Sequence, residues 1–232
     1  LASGYLPKAY RAPADVMELR NLVRERHYLV SVRTGFKNRL KGVVTARGEH
    51  DILETCLTTA GRQYIEAHNL IELRDLSEII TELTVYIKRL EADIDHALKD
   101  NQLAQLLTTV PTMGPISIAT VVAEVGDMTR FASAKKLANY AGLVPGQRSS
   151  GARLRYGRIT KVGSKYLRHT MVECAMRLRA HHDPALYAWY ERVKAVSSPM
   201  KARVALARKL LTITWYMAKH HTPYTPRNHE IG

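Results

Sequence analysis

The sequence predicts an all-α protein, with a long coiled-coil or helical-hairpin arm followed by a compact helical domain that carries a helix-hairpin-helix-like turn. Three observations lead there. Apolar residues recur at helical spacing over residues 14–47 and hold a heptad over residues 76–97. The second half of the chain is punctuated by Ser, Asp, Pro and Gly in the order that opens and closes helices. No strand pattern is convincing after residue 12.

Residues 1–12, LASGYLPKAYRA, are turn-rich and read as the tail of a body that lies upstream. In the first long helix Leu19, Leu22, Leu29, Phe36, Leu40 and Val43 fall at spacings of three, four and their sums. Pro13 precedes it, Asp15 is its expected cap and Gly48 its expected stop. Residues 48–68 are expected to hold a short helix with its connections. Leu76, Ile80, Leu83, Ile87, Leu90, Ile94 and Ala97 then step by four and three, a heptad seam with charge on the other faces. Two such helices predict an antiparallel hairpin or a dimerising coiled coil, and two helices packed on their own domain fit as well. Further on, LLTTVPTMGPISIATVVAEVG reads as helix, tight turn, helix, with Pro115 opening the second helix. Ser133 and Ser164 are expected caps, the latter for a helix reaching about His181. Asp183-Pro184 and Ser198-Pro199 are cap-plus-proline signals. The last helix sets Leu206, Leu210, Ile213 and Met217 on one face. The domain expectation is 1–12, 13–100 and 101–232.

With 232 residues, 46% apolar and 24% charged, the composition is that of a folded globular chain. Cys56 and Cys174 are isolated, which suits a reducing, cytoplasmic location and gives neither a zinc site nor a disulfide framework. No apolar run approaches the roughly 20 residues of a membrane span, and neither a signal peptide nor a membrane partner is expected. The chain opens on Leu1 rather than Met, so a fragment of a longer protein is expected.

The formal net charge is +14, and its distribution points to nucleic acid. Ten Lys or Arg and no acid lie between Asp127 and Glu173, and eight with no acid lie between Glu191 and Glu230. Residues 66–100 hold nine acids against four bases, so charge is segregated by segment. The densest stretch is PGQRSSGARLRYGRITKVGSKYLR, residues 145–168. Arg148, Arg153, Arg155, Arg158, Lys161, Lys165 and Arg168 crowd there around four glycines, including Gly151. Guanidinium groups match phosphate oxygens in paired hydrogen bonds. A serine in such a field has the cations that favour an alkoxide and neutralise charge on an attacked phosphate. The bland reading is a solvated basic loop with incidental serines. Gly114, in the turn before the second helix, exposes backbone N–H groups of the kind that suit a phosphate; an ordinary helix–helix turn reads the same way. His181-His182-Asp183 and His220-His221 are set aside as metal ligands, because neighbours on a helix diverge by about 100°; they read as helix-end histidines. Tyr187, Trp189 and Tyr190 read as packing more readily than as base-stacking groups.

The order Pro111-x-x-Gly114-Pro115, Gly126-Asp127 then Arg130-Phe131, Lys136-Leu137-Ala138-x-Tyr140-Ala141-Gly142-Leu143, Ser150-Gly151, and Lys161-x-Gly163 before Leu167-Arg168 resembles the C-terminal domain of the "one-ten" group of bacterial insertion-sequence transposases. GYLPKAYRAP and the following helix resemble the same family just past its last acidic residue. These are the DEDD-serine, bridge-RNA-guided recombinases. The resemblance implies a composite site: an N-terminal RuvC-like domain whose four acidic residues bind magnesium, and the serine of the Ser-Gly pair. That serine maps to Ser150, with Ser149 as its neighbour and fallback. It attacks a DNA phosphodiester, forms a phosphoserine link and frees a 3′ hydroxyl. The implied partners are DNA, a structured guide RNA and further copies of the chain through the coiled coil. Two departures stand out. The acidic tetrad is expected upstream of Leu1, so no Mg2+ ligand is carried over, and Asp15, Asp51 and Glu54 are not substitutes. Thr112 stands where a glycine is common in the turn. A catalytically inactive, nucleic-acid-binding remnant is the alternative.

Overall fold

A computed structural model describes residues 10–49, 52, 55–150 and 153–226, with the backbone alone for 147–150 and 153–156. The class is all-α. The elements are α1 (Ala14–Ala46), α2 (Thr59–Ala67), α3 (Ile71–Leu98), α4 (Gln102–Leu107), α5 (Pro115–Val125), α6 (Ala134–Tyr140), β1 (Pro145–Ser150), β2 (Arg153–Ile159), α7 (Lys165–Arg177), α8 (Pro184–Val196) and α9 (Pro199–His220). They form two compact units, Asn21–His96 and the remainder.

In the Asn21–His96 unit α1 and α3 run antiparallel. Arg26 binds Glu91 through Nη2 at 2.7 Å and Arg39 binds Glu72 at 3.2 Å, so rising numbers on one helix meet falling numbers on the other. Arg33 donates to Thr84 Oγ1 between them. The end of the hairpin near α2 is closed by a core of Leu40, Val44, Ile65, Leu73 and Ile80. Gly61 lets α2 approach the chain at Thr55, where a Cβ would sit 2.1 Å from the carbonyl oxygen. The two heptad rows differ in cover. Ile80, Ile87 and Ile94 are all buried, whereas in the other row Leu76 is buried at the α2 end, Leu83 and Leu90 are half-buried and Ala97 is exposed. A single partner helix covers one row of a two-row seam more fully than the other, and Leu83 and Leu90 stay half-buried along the middle of the arm.

In the larger unit α5 is the central helix: every residue from Ser117 to Val125 is buried. Such a helix cannot leave its last carbonyls to water. Ala123 O accepts from Arg20 Nε at 2.8 Å, Glu124 O from the Tyr140 hydroxyl at 3.0 Å and Val125 O from Arg130 Nε at 3.2 Å. α7 and α9 pack on each other, with α5 against α7 and α6 and α8 against α9. Leu167, Met171, Leu206 and Leu211 lie at the contacts with no exposure. Trp215 Nε1 donates to Phe131 O and ties α9 to the α5–α6 connection.

The expected caps at Ser133, Ser164, Asp183 and Ser198 each accept the backbone N–H three residues on. Three expectations are corrected. Asp15 lies inside the first turn of α1, not at its cap. α7 stops at Arg177, because Leu178 turns to extended backbone; His181 and His182 therefore sit in the link to α8, where His182 Nδ1 accepts from Arg179 N. The third is the absence of strands: β1 and β2 pair as an antiparallel hairpin. In β2, Arg153-Leu154-Arg155-Tyr156 alternates with the period of a strand, but the Gly, Ser and Arg content of its partner hid it.

Candidate functional site

The basic stretch is the β1–β2 hairpin and its root on α7. The register pairs Gln147 with Tyr156, Arg148 with Arg155, Ser149 with Leu154 and Ser150 with Arg153. Opposed residues in an antiparallel ladder share a face, and so do alternate residues along a strand. Backbone register thus places Ser150, Arg153, Arg148 and Arg155 on one face, and Ser149 on the other with Gln147, Leu154 and Tyr156. Ser150 is the last paired residue of β1. Gly151 lies outside the described residues, as do the side chains of Ser149, Ser150, Arg148, Arg153 and Arg155.

The root of the hairpin is held by backbone. Val144 O accepts from Thr160 N at 3.0 Å, Gly142 O from Lys161 N at 3.4 Å, and Tyr140 O from Ser164 N at 3.1 Å. This close lacing requires glycine at two points. Gly163, at φ +98, leaves 2.0 Å between a built Cβ and Tyr140 O; Gly142, at φ +65, leaves 2.6 Å to Val162 O. Lys161 adopts φ +55 without that freedom, a left-handed conformation that costs a lysine about 1 kcal/mol.

Beneath the root lies Glu124, a carboxylate with no solvent exposure. Its Oε2 accepts from Ser164 Oγ at 2.8 Å, while Ser164 Oγ accepts from Leu167 N at 3.1 Å. One hydroxyl therefore starts α7 and clasps the hairpin root to α5. Arg168 is half-buried and donates through Nη1 to Ala141 O at 3.1 Å, so its guanidinium is partly engaged in this scaffold. Arg158, Lys161 and Lys165 are exposed, and Lys165 Nζ lies 5.0 Å from the centre of the Tyr166 ring.

Gly114 does not join this cluster. It is the half-buried N-cap of α5, without a side-chain cap bond and followed by Pro115 at the first helical position. Glu124 lies ten residues further along the helix, about 15 Å at 1.5 Å per residue. Nothing lies within 4 Å of a Cβ built on Gly114, and the buried Thr112 hydroxyl has no hydrogen-bond partner among the described residues. Sequence reasoning missed Glu124, although it is the only acid in the apolar run IATVVAEV. Tyr140 entered only as part of the family motif, and the partner of its hydroxyl, Glu124 O, was not visible in the sequence. Among the described residues no group of three or more His, Cys, Asp or Glu could hold a metal ion, and no helix is long and apolar enough to cross a membrane.

An arginine-rich hairpin clasped to a buried helix, with Arg158, Lys161 and Lys165 exposed at its root, in a chain of net charge +14, defines a basic helical protein. Residues 104–191 match the model of the transposase IS116/IS110/IS902 family. A Pseudomonas aeruginosa protein named "Probable family 20 transposase" is 30% identical over 226 residues, covering 92% of this chain and 67% of the relative. The "Pilin gene-inverting protein" of Moraxella bovis is 31% identical over 169 residues, 72% of this chain and 52% of the relative. The 43.6 kDa protein of insertion element IS110 from Streptomyces coelicolor is 30% identical over 158 residues, 68% of this chain and 39% of the relative. The chain belongs to the IS116/IS110/IS902 family of insertion-sequence transposases. It spans from about two fifths to two thirds of the length of these relatives.

Proposed function

We propose that this chain is the DNA-binding and nucleophile part of an insertion-sequence recombinase that works through a phosphoserine intermediate. The observation that carries the reading is the hairpin register, which sets Ser150 at the end of β1 opposite Arg153, on the face shared with Arg148 and Arg155. Cations so placed favour the ionised serine and balance the charge that grows on an attacked phosphate. Ser150 Oγ loses its proton to solvent or a base and bonds to phosphorus. The P–O3′ bond breaks, and the leaving oxygen takes a proton as a free 3′ hydroxyl. Reversal from a different 3′ hydroxyl rejoins the strand and frees the serine, so bond energy is conserved. Gene inversion, in the name of the Moraxella relative, is a rearrangement that such cutting and rejoining performs.

Arg158, Lys161, Lys165 and Arg168 extend the phosphate-binding face, and the α5 N-terminus at Gly114 forms a second phosphate cradle in this reading. The described residues do not fit a metal site. Mg2+ in the complete enzyme is assigned to acidic residues of a RuvC-like domain outside this sequence. A structured guide RNA selects the DNA. The half-covered heptad row at Leu83 and Leu90 supports assembly with further copies of the arm.

The test is a covalent adduct on a denaturing gel. The chain is mixed with labelled, nicked element-end DNA, with and without a supplied acidic domain, guide RNA and Mg2+. An adduct lost in Ser150→Ala supports the reading. An adduct retained in Ser150→Ala but lost in Ser149→Ala moves the nucleophile by one residue. Salt-sensitive binding with no adduct under any condition replaces the enzyme by a non-catalytic nucleic-acid-binding module.

A further inference from the structure

The α8 helix is incompletely covered by its own chain. Only Leu186 on it is buried, while Tyr187, Trp189, Tyr190 and Val193 are half-buried and Val196 is 87% exposed. Its two flanks differ in charge. On one, Lys194 lies 5.8 Å from the Tyr190 ring centre and is neutralised by Glu191 at 3.0 Å. On the other, Trp189, Arg192 and Val196 follow one another at helical spacing, and Lys209 of α9 lays its ammonium 4.4 Å from the Trp189 ring centre. Arg192 is exposed and has no hydrogen bond or ion pair among the described residues. Of the two acids of α8 and its cap, Glu191 pairs with Lys194, and Asp183 is buried, caps α8 through Leu186 N and accepts from the Tyr224 hydroxyl. No acid occurs between Glu191 and Glu230.

A half-buried indole beside two cations, with Glu191 engaged by Lys194 on the other flank, matches a ligand that offers a flat ring and an anionic backbone together. We propose that the Trp189–Arg192–Lys209 flank binds an unpaired segment of nucleic acid. A base stacks on the accessible part of the indole, and its neighbouring phosphates meet Arg192 and Lys209. A paired duplex keeps its bases stacked inside and cannot present a ring to Trp189. Burial first and the Arg192 charge second disfavour the Lys209 ammonium, while the Asp183 charge favours it in smaller measure; an arriving phosphate relieves the Arg192 repulsion. The site rests on the reading of the chain as a nucleic-acid-binding protein, yet shares no residue with the Ser150 hairpin.

The chain has two tryptophans, and Trp215 is buried on Phe131, so quenching of tryptophan emission reports on Trp189. The chain is titrated with a 20-nucleotide poly(dT) or poly(U) strand, with a duplex of equal length, and with polyglutamate as a ring-free anion. Saturable quenching by the single strands alone is expected. By anisotropy of a labelled strand, Trp189→Ala, Trp189→Phe and Arg192→Ala should weaken single-strand binding, the alanine at Trp189 by about tenfold, and leave duplex binding within twofold. The wild-type quench needs no substitution, so a poorly folding variant does not remove the test. Single-strand binding without quenching, or equal quenching by duplex or by polyglutamate, overturns the site. Arg158→Ala separates the two readings: it should weaken duplex binding and leave the quench unchanged. Duplex binding with no response at Trp189 would sink this site alone. Binding of neither strand type would sink the nucleic-acid reading with it.

Discussion

At the scale of single residues, the decisive groups are those whose partners come from far along the chain. Tyr224, beyond α9, donates its hydroxyl to Asp183, and its N–H reaches Thr109 Oγ1 at 2.9 Å. Burial pushes the phenol well above its ordinary value, and the bond to Asp183 adds to the shift. A group whose folded pKa is raised contributes stability that is complete below its unfolded pKa, about 10 for tyrosine, and lost as pH rises through the folded one. Tyr224→Phe should cost about 1.5 kcal/mol near neutrality, and the difference from wild type should close above about pH 10. Urea unfolding at pH 7 and at alkaline pH checks both; a constant difference would contradict the assignment. Asp183 and Ser164 were legible as caps, because a cap is written within four residues. Their second partners, Tyr224 and Glu124, were not, since those bonds span 41 and 40 residues.

At the scale of elements, the helices were legible and the hairpin was not. Helices announce themselves by apolar periodicity and by Ser-Pro or Asp-Pro starts. The hairpin has few apolar residues and is stabilised at its root by lacing to Tyr140, Gly142 and Val144. Glu124 separates the clasp from the cap. Glu124→Gln keeps an acceptor for Ser164 Oγ, whereas Glu124→Leu keeps the volume and the α7 cap but removes that acceptor. Amide hydrogen exchange should speed up across residues 144–160 by about tenfold in Glu124→Leu, remain near wild type in Glu124→Gln, and stay unchanged in α8 and α9. Exchange that rises evenly over the whole unit would mean that Glu124 serves general packing and not the hairpin.

At the scale of the whole molecule, the chain is two compact units with separate cores. Leu73 and Leu206 both have no exposure, so Leu73→Ala and Leu206→Ala should each cost about 3 kcal/mol. Exchange protection should fall within Asn21–His96 for the first and within α5–α9 for the second; loss in both units from either change would reject independent cores. Charge also acts at this scale. Neutralising about six phosphates should make duplex affinity fall with a log-log salt slope of about −5, and a flat salt dependence would refute phosphate contacts.

By itself the sequence determined the all-α class, the antiparallel option for the arm, most helix starts and the segregation of charge. Each is written in local order: periodicity, caps within four residues, and runs without acids. Its family motifs also pointed to the insertion-sequence transposases that the comparisons bear out. Only the tertiary structure decided that the basic stretch is a hairpin, that its register puts Ser150 across from Arg153, and that a buried glutamate holds its root. It also decided that Leu83 and Leu90 of the α3 heptad remain half-buried and that Lys209 lies over Trp189. These depend on pairings between residues distant in the chain, and a pairing of that kind is set by which surfaces the whole fold brings together.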